Sequence, residues 1–451
     1  MEAMPFHLDM KRIWRVLLAL LLLAAPPAVQ AQFAYVTNNG AVILTSYSGA
    51  AGTVVISNFV NVITNDVFYN RSSLTNLTIP ASVTNMGDLE FFNCQNLATV
   101  TICGGVAYTG EYAFGNCFSL TNATISNGVT FLGEYAFDNC TNLPGVTIPA
   151  SVTTIGNYAF YGCSNLASVT ICGVTNMGEY AFGNCASLTN VTLSNGVTSI
   201  GSYAFNDCTS LAGITIPGSV ADIGEFAFVG CSVLTNAILA GGLPGVGAYA
   251  FYDCTNLAGV AMPASLASIG TYAFYECSHL AGITIPGGVT NIGEFAFADC
   301  ASLTGVTIPG GTTSIGANAF ANCSGLTGVY FAGNAPGVGT NVFLSDRNAT
   351  AYYLPDTTGW DVFETNTGMS PVLWNPGIQT GAGSGFGVQT NYFGFSITNT
   401  ANLTVVVEVC TNLAGQVWVP LATNTLANGV FYFSEPVKAN FSGRFYGLGV
   451  P

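Results

Sequence analysis

Cysteine is the residue type whose spacing in this chain could most readily support chemistry. The sequence has 14 cysteines, and eleven of them recur at intervals of 22 or 23 residues. In an exported protein such a number often indicates disulfides, but constant spacing places these side chains at equivalent inward positions of stacked repeats. Their parallel Cβ vectors disfavour bridging, which stays the alternative. We predict a ladder of buried thiols at Cys94, Cys117, Cys140, Cys163, Cys185, Cys208, Cys231, Cys254, Cys277, Cys300 and Cys323.

No other residues form a pattern that is typical of a metal or catalytic site. There is no CxxC pair, and a ladder cannot gather four ligands around one zinc ion. Carboxylates recur after a turn glycine, as at Glu134, and before the cysteines, as at Asp138. We expect them on a solvated surface instead of a glycosidase cleft, with weak calcium binding as the alternative. His279 is the only histidine after residue 31, so we predict no Ser-His-Asp arrangement, no catalytic residue, no metal and no cofactor.

Two exposed ladders are candidate binding surfaces. Threonine recurs in a segment with strand-like alternation, and tyrosine recurs two residues before the inward phenylalanine described below. Threonine is also simply a good strand residue, and stacked tyrosines can be packing alone. A regular threonine array could even bind ice, although a curved repeat disfavours that reading. The candidate ligand-binding residues are Thr101, Thr124, Thr147, Thr170, Thr192, Thr215, Tyr135, Tyr158, Tyr180 and Tyr203.

An internal repeat must position all of these residues. Thirteen phenylalanines from Phe68 to Phe343 are separated by 23 residues, except for one interval of 22 between Phe160 and Phe182. A fixed period of this length is typical of leucine-rich repeats. The inward ladder of this repeat includes Phe114, Phe137, Phe160, Phe182 and Phe205 beside the cysteines.

The segment Ile200 to Val220, IGSYAFNDCTSLAGITIPGSV, shows how one coil is expected to fold. Ile200, Ala204, Phe205, Cys208 and Leu211 fall on one face of a short helix. Ile214 and Ile216 then alternate with Thr215, which predicts a short strand that ends at Pro217. A single coil cannot bury its apolar face, so the coils must stack.

The run Ile-Gly-x-x-Ala-Phe-x-x-Cys-x-x-Leu-x-x-Val-x-Ile, as in Ile155 to Ile171, resembles the BspA-like leucine-rich repeat. The resemblance covers about Val54 to Phe343. It implies a right-handed, curved solenoid on secreted or bacterial cell-surface proteins, often with roles in adhesion or binding, and it does not imply an enzyme. We therefore expect about 13 coils of 23 residues, each with a short strand and a short helical turn.

The remaining segments predict the domain boundaries. Lys11, Arg12 and Arg15 precede a short apolar run and a small-residue site at Ala31, so residues 1–31 read as a signal peptide. Residues 32–60 are predicted to form an N-terminal β cap, 61–345 the solenoid and 346–375 a C-terminal cap. After a Gly-rich stretch, residues 376–451 alternate as in a small all-β sandwich. Cys103, Cys172 and Cys410 lie outside the ladder, and we expect them to be accessible.

The composition of the chain limits the classes of partner that it can bind. The chain is 50% apolar and 6% charged, with a net charge of −15, which repels nucleic acid. We expect no transmembrane span after signal cleavage, a monomer, and a location outside the cell or on the bacterial surface. The predicted function is binding or adhesion to a protein or polysaccharide. The alternatives are a structural envelope spacer without a ligand and, more remotely, ice binding or a hydrolase that uses Glu408 and Glu435.

Overall fold

A computed structural model describes residues 32–50, 52–380, 387–389, 392–399, 403–411, 417–437 and 444–451. The predicted signal peptide, residues 1–31, lies outside this part of the chain. The chain divides into two compact units, Met1–Val197 and Thr198–Pro451. Both are built from stacked β-solenoid coils, about 14 turns in all, and antiparallel sheets follow at the C-terminus. The predicted fold class is confirmed.

In the first unit, most coils contribute one long and one short strand, and strands of each kind pair in parallel with those of neighbouring coils. In Gly145–Ile148 the side chains of Val146 and Ile148 are buried and Thr147 points outward, and Thr147 lies opposite Thr170 of the next coil. The long strands are Thr53–Val55, Asn76–Ile79, Thr99–Ile102, Asn122–Ile125, Gly145–Ile148, Ser168–Ile171 and Asn190–Leu193. The short strands are Val62–Ile63, Asn85–Met86, Phe131–Leu132, Thr154–Ile155 and Asn176–Met177. An antiparallel hairpin, Phe33–Asn38 and Ala41–Tyr47, precedes them.

The second unit repeats this arrangement. Its short strands are Ser199–Ile200, Asp222–Ile223, Gly245–Val246, Ser268–Ile269, Asn291–Ile292, Ser314–Ile315 and Gly337–Val338. Its long strands are Gly213–Ile216, Asn236–Leu239, Gly259–Ala261, Ile283–Thr284, Gly305–Ile308, Gly328–Phe331 and Thr350–Tyr353, and Val372–Leu373 pairs in parallel with Thr350–Tyr353. The α-helix Trp360–Thr367 lies between these last two strands.

Two antiparallel sheets form the C-terminal module, in agreement with the alternating sequence. One sheet contains Gly377–Gln379, Gly387–Gln389, Tyr392–Thr398 and Val430–Pro436, and the other contains Thr404–Cys410, Val419–Thr425 and Phe445–Gly449. Phe395, Ile397, Val405, Val407 and Phe433 form their shared core. Cys410 is buried at 2% exposure, so the expectation that this thiol is accessible is wrong.

The segment predicted as a short helix in each coil is a run of turns. Ala204 N–H donates to Gly201 O three residues back, whereas Tyr203 N–H and Phe205 N–H donate to Glu225 O and Ala227 O of the next coil. Tyr203 has a positive φ of 56°, which a right-handed helix does not allow. Alternate amides therefore point toward the next coil, and the i, i+4 pattern marks inward positions without an α-helix. We call residues such as 201–208 of each coil the turn segment.

The core of each unit is a stack of phenylalanine rings. In the first unit the ring of Tyr47 lies 4.9 Å from Phe68 and begins the stack, which then continues at spacings such as 5.2 Å between Phe91 and Phe114. In the second unit Phe363 of the helix Trp360–Thr367 lies 6.4 Å from Phe343 and covers the last ring. Stacked rings with parallel planes stabilise the packing of neighbouring coils.

Candidate functional site

The cysteines of the ladder are buried thiols without disulfides, and within each unit they hydrogen-bond one coil to the preceding one. The Sγ of Cys117 donates to Phe91 O at 3.3 Å and that of Cys231 donates to Phe205 O at 3.2 Å. Burial raises the pKa of the Cys231 thiol to about 12, which suppresses the reactive thiolate. Within the described residues no group of three or more His, Cys, Asp or Glu side chains could hold a metal ion. The geometry of these thiols is therefore that of a packing element.

The aromatic ladder lies on the turn segments and is half-buried. Tyr135 and Tyr158 stack with centroids 4.8 Å apart and an interplanar angle of 2°, and Tyr158 stacks on Tyr180 at the same distance. In the second unit Tyr203 stacks on Phe226 at 4.6 Å. Because each ring covers the face of its neighbour, the ring faces are largely closed to a ligand.

Every residue of this aromatic ladder has a left-handed backbone, a feature that the sequence pattern did not reveal. The φ angles include 53° at Tyr135, 56° at Tyr158 and 51° at Tyr180, and bulky residues rarely adopt such values. At the C-terminal coils the same position holds Asn318 and Asn341, a residue type that tolerates this conformation. Stacking with neighbouring rings offsets the backbone cost where aromatic residues occupy it.

The recurring carboxylates do not come together in a cleft. Asp88 accepts the Glu111 N–H at 2.8 Å through Oδ1, and Glu134 accepts the Asn157 Nδ2 at 3.3 Å through Oε1. These are contacts between neighbouring coils along a turn surface. In the C-terminal module Glu435 forms an ion pair of 2.6 Å with Arg444 and accepts the Tyr446 hydroxyl, so its carboxylate holds two strands together.

Threonine forms three rows, and two of them are structural. In one row Thr130 Oγ1 donates to Ala107 O at 2.8 Å and Thr153 Oγ1 donates to Thr130 O at 3.2 Å. In another row Thr121 Oγ1 donates to Ala98 O at 3.1 Å and Thr235 Oγ1 donates to Ala212 O at 2.9 Å. These hydroxyls donate to main-chain oxygens of the preceding coil, so their O–H groups are already engaged.

The third row is the predicted one, and its hydroxyls are unused. Within the part of the chain that the structure describes, no hydrogen bond satisfies the side chains of Thr101, Thr124, Thr147, Thr170, Thr192 or Thr215. These side chains are exposed or half-exposed and point outward from the long strands. We call this outward side of the long strands in each unit the strand face. Thr101 lies opposite Thr124 and Thr170 lies opposite Thr192 in register, so strand spacing sets the hydroxyls about 4.8 Å apart.

The strand face of the first unit carries no charge. The residues two positions before the threonines are Asn76, Thr99, Asn122, Gly145, Ser168 and Asn190. In the second unit the row is interrupted by Ile238, which is 41% exposed, and by Ala261. The acidic charge of the molecule therefore lies away from these strands. A neutral face rich in hydrogen-bonding groups is suited to a ligand that is itself polar and uncharged.

The C-terminal module covers one end of the strand face in the second unit. Tyr330 and Tyr352 occupy the threonine position of the last coils, and they are 5% and 7% exposed in the core shared with the module. Trp374 Nε1 donates to Thr404 O at 3.4 Å, and Thr307 Oγ1 donates to the main-chain oxygen of Pro451. The spacing of the threonines gives no sign of this contact.

None of the helices in the described residues is both long enough and apolar enough to cross a membrane. Comparison with curated proteins finds no significant match. A leucine-rich-repeat protein of known structure from Bacteroides ovatus is similar at 24% sequence identity with a TM-score of 0.55, over 76% of this chain and 98% of that one. A leucine-rich cell-surface protein from Faecalibacterium prausnitzii has 27% identity and a TM-score of 0.43, over 76% of this chain and 97% of that one.

The sequence also matches the family described as the BspA type leucine-rich-repeat region, over residues 61–186, 173–258 and 244–366. The matched segments run from residue 61 to residue 366 of the 451, and they contain the thiol, phenylalanine, tyrosine and threonine rows described above. The chain therefore belongs to the BspA-type leucine-rich-repeat family.

Proposed function

We propose that this protein is an exported, non-enzymatic binding protein that holds a protein or polysaccharide ligand on its strand face. The observation that carries the proposal is the contrast among the threonine rows. Two rows donate their hydroxyls to main-chain oxygens, whereas Thr101, Thr124, Thr147, Thr170, Thr192 and Thr215 leave theirs unused on an exposed surface. Threonine also favours strands, but hydroxyls that are exposed and unused are groups that a polar ligand can bind.

Export to the cell surface or the medium is part of the same proposal. It is supported by the signal-like residues 1–31, which lie outside the described residues, and by the location that is typical of the family. A binding role without catalysis is supported by the structural use of the carboxylates, since Glu435 is paired with Arg444. The tyrosine ladder is a weaker candidate for ligand contact because its ring faces are stacked.

The test is binding of the purified protein to a panel of bacterial envelope polysaccharides and extracellular-matrix proteins. We expect saturable binding to at least one member. A variant carrying Thr124→Val, Thr147→Val and Thr170→Val removes three hydroxyls while it preserves the side-chain shape, and we expect it to weaken binding at least about tenfold, since each lost hydrogen bond costs on the order of 0.5–1.5 kcal/mol.

The matched control carries Glu111→Gln, Glu134→Gln and Glu179→Gln on the turn segments and should bind as the unmodified protein does. Absence of saturable binding to every member would favour the structural-spacer alternative. If the threonine variant binds as tightly as the unmodified protein, the ligand does not bind to the strand face. Deletion of the C-terminal module is a poor test, because it would expose Tyr330, Tyr352 and Trp374.

A further inference from the structure

Asp346 occupies the position that cysteine holds in the preceding coils. It follows Phe343 by three residues, as Cys323 follows Phe320. Asp346 N–H donates to Phe343 O at 3.2 Å, and Cys323 N–H donates to Phe320 O at 3.3 Å. The main-chain oxygens of both residues accept an amide three residues later, at 3.0 Å and 2.8 Å. The carboxyl group therefore stands where the thiol ladder would continue.

This carboxyl group is buried without a hydrogen-bond partner. Asp346 is 6% exposed, and both of its carboxylate oxygens are unsatisfied within the described residues. The nearby Cys323 N–H already donates to Phe320 O, so it compensates the carboxylate only in part. A buried polar group in this state calls for an explanation, because lost hydration is normally compensated by a hydrogen bond.

The thiol ladder shows which partner is missing. Cys300 Sγ donates to Phe274 O at 3.3 Å and Cys323 Sγ donates to Phe297 O at 3.1 Å, in each case the phenylalanine of the preceding coil. The equivalent acceptor for Asp346 is Phe320 O. An ionised carboxylate only accepts hydrogen bonds, whereas a protonated carboxyl group can donate one.

We propose that Asp346 is a proton-controlled contact that holds the last coil to the one before it. In its neutral form the carboxyl O–H donates to Phe320 O and extends the thiol ladder by one step. In its ionised form it places negative charge against that carbonyl oxygen and loosens the coil. The coil concerned carries Tyr352, which packs in the core shared with the C-terminal module, so the loosening reaches the covered end of the strand face.

The electrostatic surroundings support this behaviour near neutral pH. Burial raises the pKa of Asp346 to about 7, the Cys323 N–H lowers it in part, and the negative charge of Asp299 in an earlier coil raises it further. This folded-state pKa is above the ordinary value of 3.8. The folded coil therefore keeps the proton between about pH 4 and pH 7, where the unfolded chain has lost it. Its stability is therefore greatest at low pH, falls as the pH rises from about 4 to about 7, and stays low above that range.

The experiment is hydrogen exchange of the full chain, followed by mass spectrometry, at pH values from 5.5 to 8.5 with correction for intrinsic exchange rates. For peptides within residues 343–353 we expect protection to fall at least about tenfold between pH 6 and pH 8, since one pKa unit corresponds to a tenfold change in the equilibrium. Peptides from the Phe297 coil, which has a cysteine at this position, serve as the internal reference and should change much less.

Three variants identify the cause of the pH response. Asp346→Asn keeps an uncharged donor at every pH, and Asp346→Cys restores the thiol, so both should keep residues 343–353 protected at pH 8. Asp299→Gln removes the nearby negative charge, so in this variant the loss of protection should occur at a lower pH than in the wild type. A wild-type chain without a pH response in this segment would overturn the proposal. So would a response that persists in Asp346→Cys, which also covers the case in which Asp346→Asn fails to fold.

Discussion

The Sγ of Cys140 donates a hydrogen bond of 3.3 Å to the main-chain oxygen of Phe114, which also accepts the N–H of Cys117. The Cys140 thiol thus satisfies the second lone pair of a buried carbonyl in the preceding coil. Substitution Cys140→Ala removes this donor and leaves a small cavity, and we expect it to lower the free energy of unfolding by about 1–3 kcal/mol.

The matched control for this substitution is Cys103→Ala, at a half-buried position outside the ladder, with an expected change of less than about 0.5 kcal/mol. The measurement is the midpoint of guanidinium denaturation, compared at unchanged slope. Equal effects of the two substitutions would show that the thiol hydrogen bond contributes little.

The left-handed backbone at Tyr158 predicts an unusual order of stability. Both Tyr158→Ala and Tyr158→Gly lose the stacking on Tyr135 and Tyr180, but only glycine is relieved of the cost of φ 56°. We expect the glycine variant to be more stable than the alanine variant by about 1 kcal/mol. At Ser168, in a strand, alanine should instead be the more stable of the two. Thermal unfolding of the four variants checks the reversal.

Two threonines of a single coil are expected to differ in how much their substitution by valine lowers the free energy of unfolding. Thr121 Oγ1 donates to Ala98 O, whereas the hydroxyl of Thr124 has no partner among the described residues. Substitution Thr121→Val should lower the free energy of unfolding by about 0.5–1.5 kcal/mol, and Thr124→Val should change it by less than about 0.5 kcal/mol. Denaturation of the two variants, which differ in position by three residues, tests the assignment of the strand face without a ligand.

The burial of the Glu90 carboxylate predicts that replacing this residue will stabilise the protein. Glu90 is fully buried at a position where the next coil has Ala113, and its carboxylate oxygens lack partners. Burial, with the charges of Asp66 and Asp88, raises its pKa to about 9, although the backbone of Gly87 and Val67 lowers the pKa in part. Because the folded-state pKa is above the ordinary 4.5, the unfolding free energy falls as pH rises between about 4.5 and 9.

Substitution Glu90→Ala removes that dependence. The variant should therefore be more stable than the wild type at pH 8, and the difference should grow by up to about 1.4 kcal/mol for each pH unit within this interval. Denaturation midpoints at pH 5, 6.5 and 8 provide the comparison. Parallel curves for the two proteins would contradict the buried state of Glu90.

Much of the fold was predictable because one period dominates the sequence. The spacing from Phe114 to Phe137 specifies a coil, and the alternation around Thr215 specifies an outward threonine in a strand. The turn segments were harder, since inward positions at i and i+4 are shared by a helix and by consecutive turns. The sign of φ at Tyr203 separates these two structures, and hydrophobic periodicity carries no information about it.

The candidate site was predictable only in part. The threonine row was identified from its spacing, but the sequence could not show which of three rows leaves its hydroxyls unused, because that depends on contacts between residues about 23 positions apart. The burial of Tyr330 and Cys410 depends on a module that follows the repeat and has no period of its own. These contacts arise from tertiary packing, which local patterns do not encode.

The hydrogen bonds that join neighbouring coils connect residues separated by little more than one repeat, as between Cys140 and Phe114. A duplication or loss of one whole repeat would recreate the same set of partners at the new junction, while Tyr47 and Phe363 would still close the ring stacks of their own units. The length of the threonine row can therefore change in evolution by unequal recombination, one strand at a time, without compensating mutations elsewhere in the core.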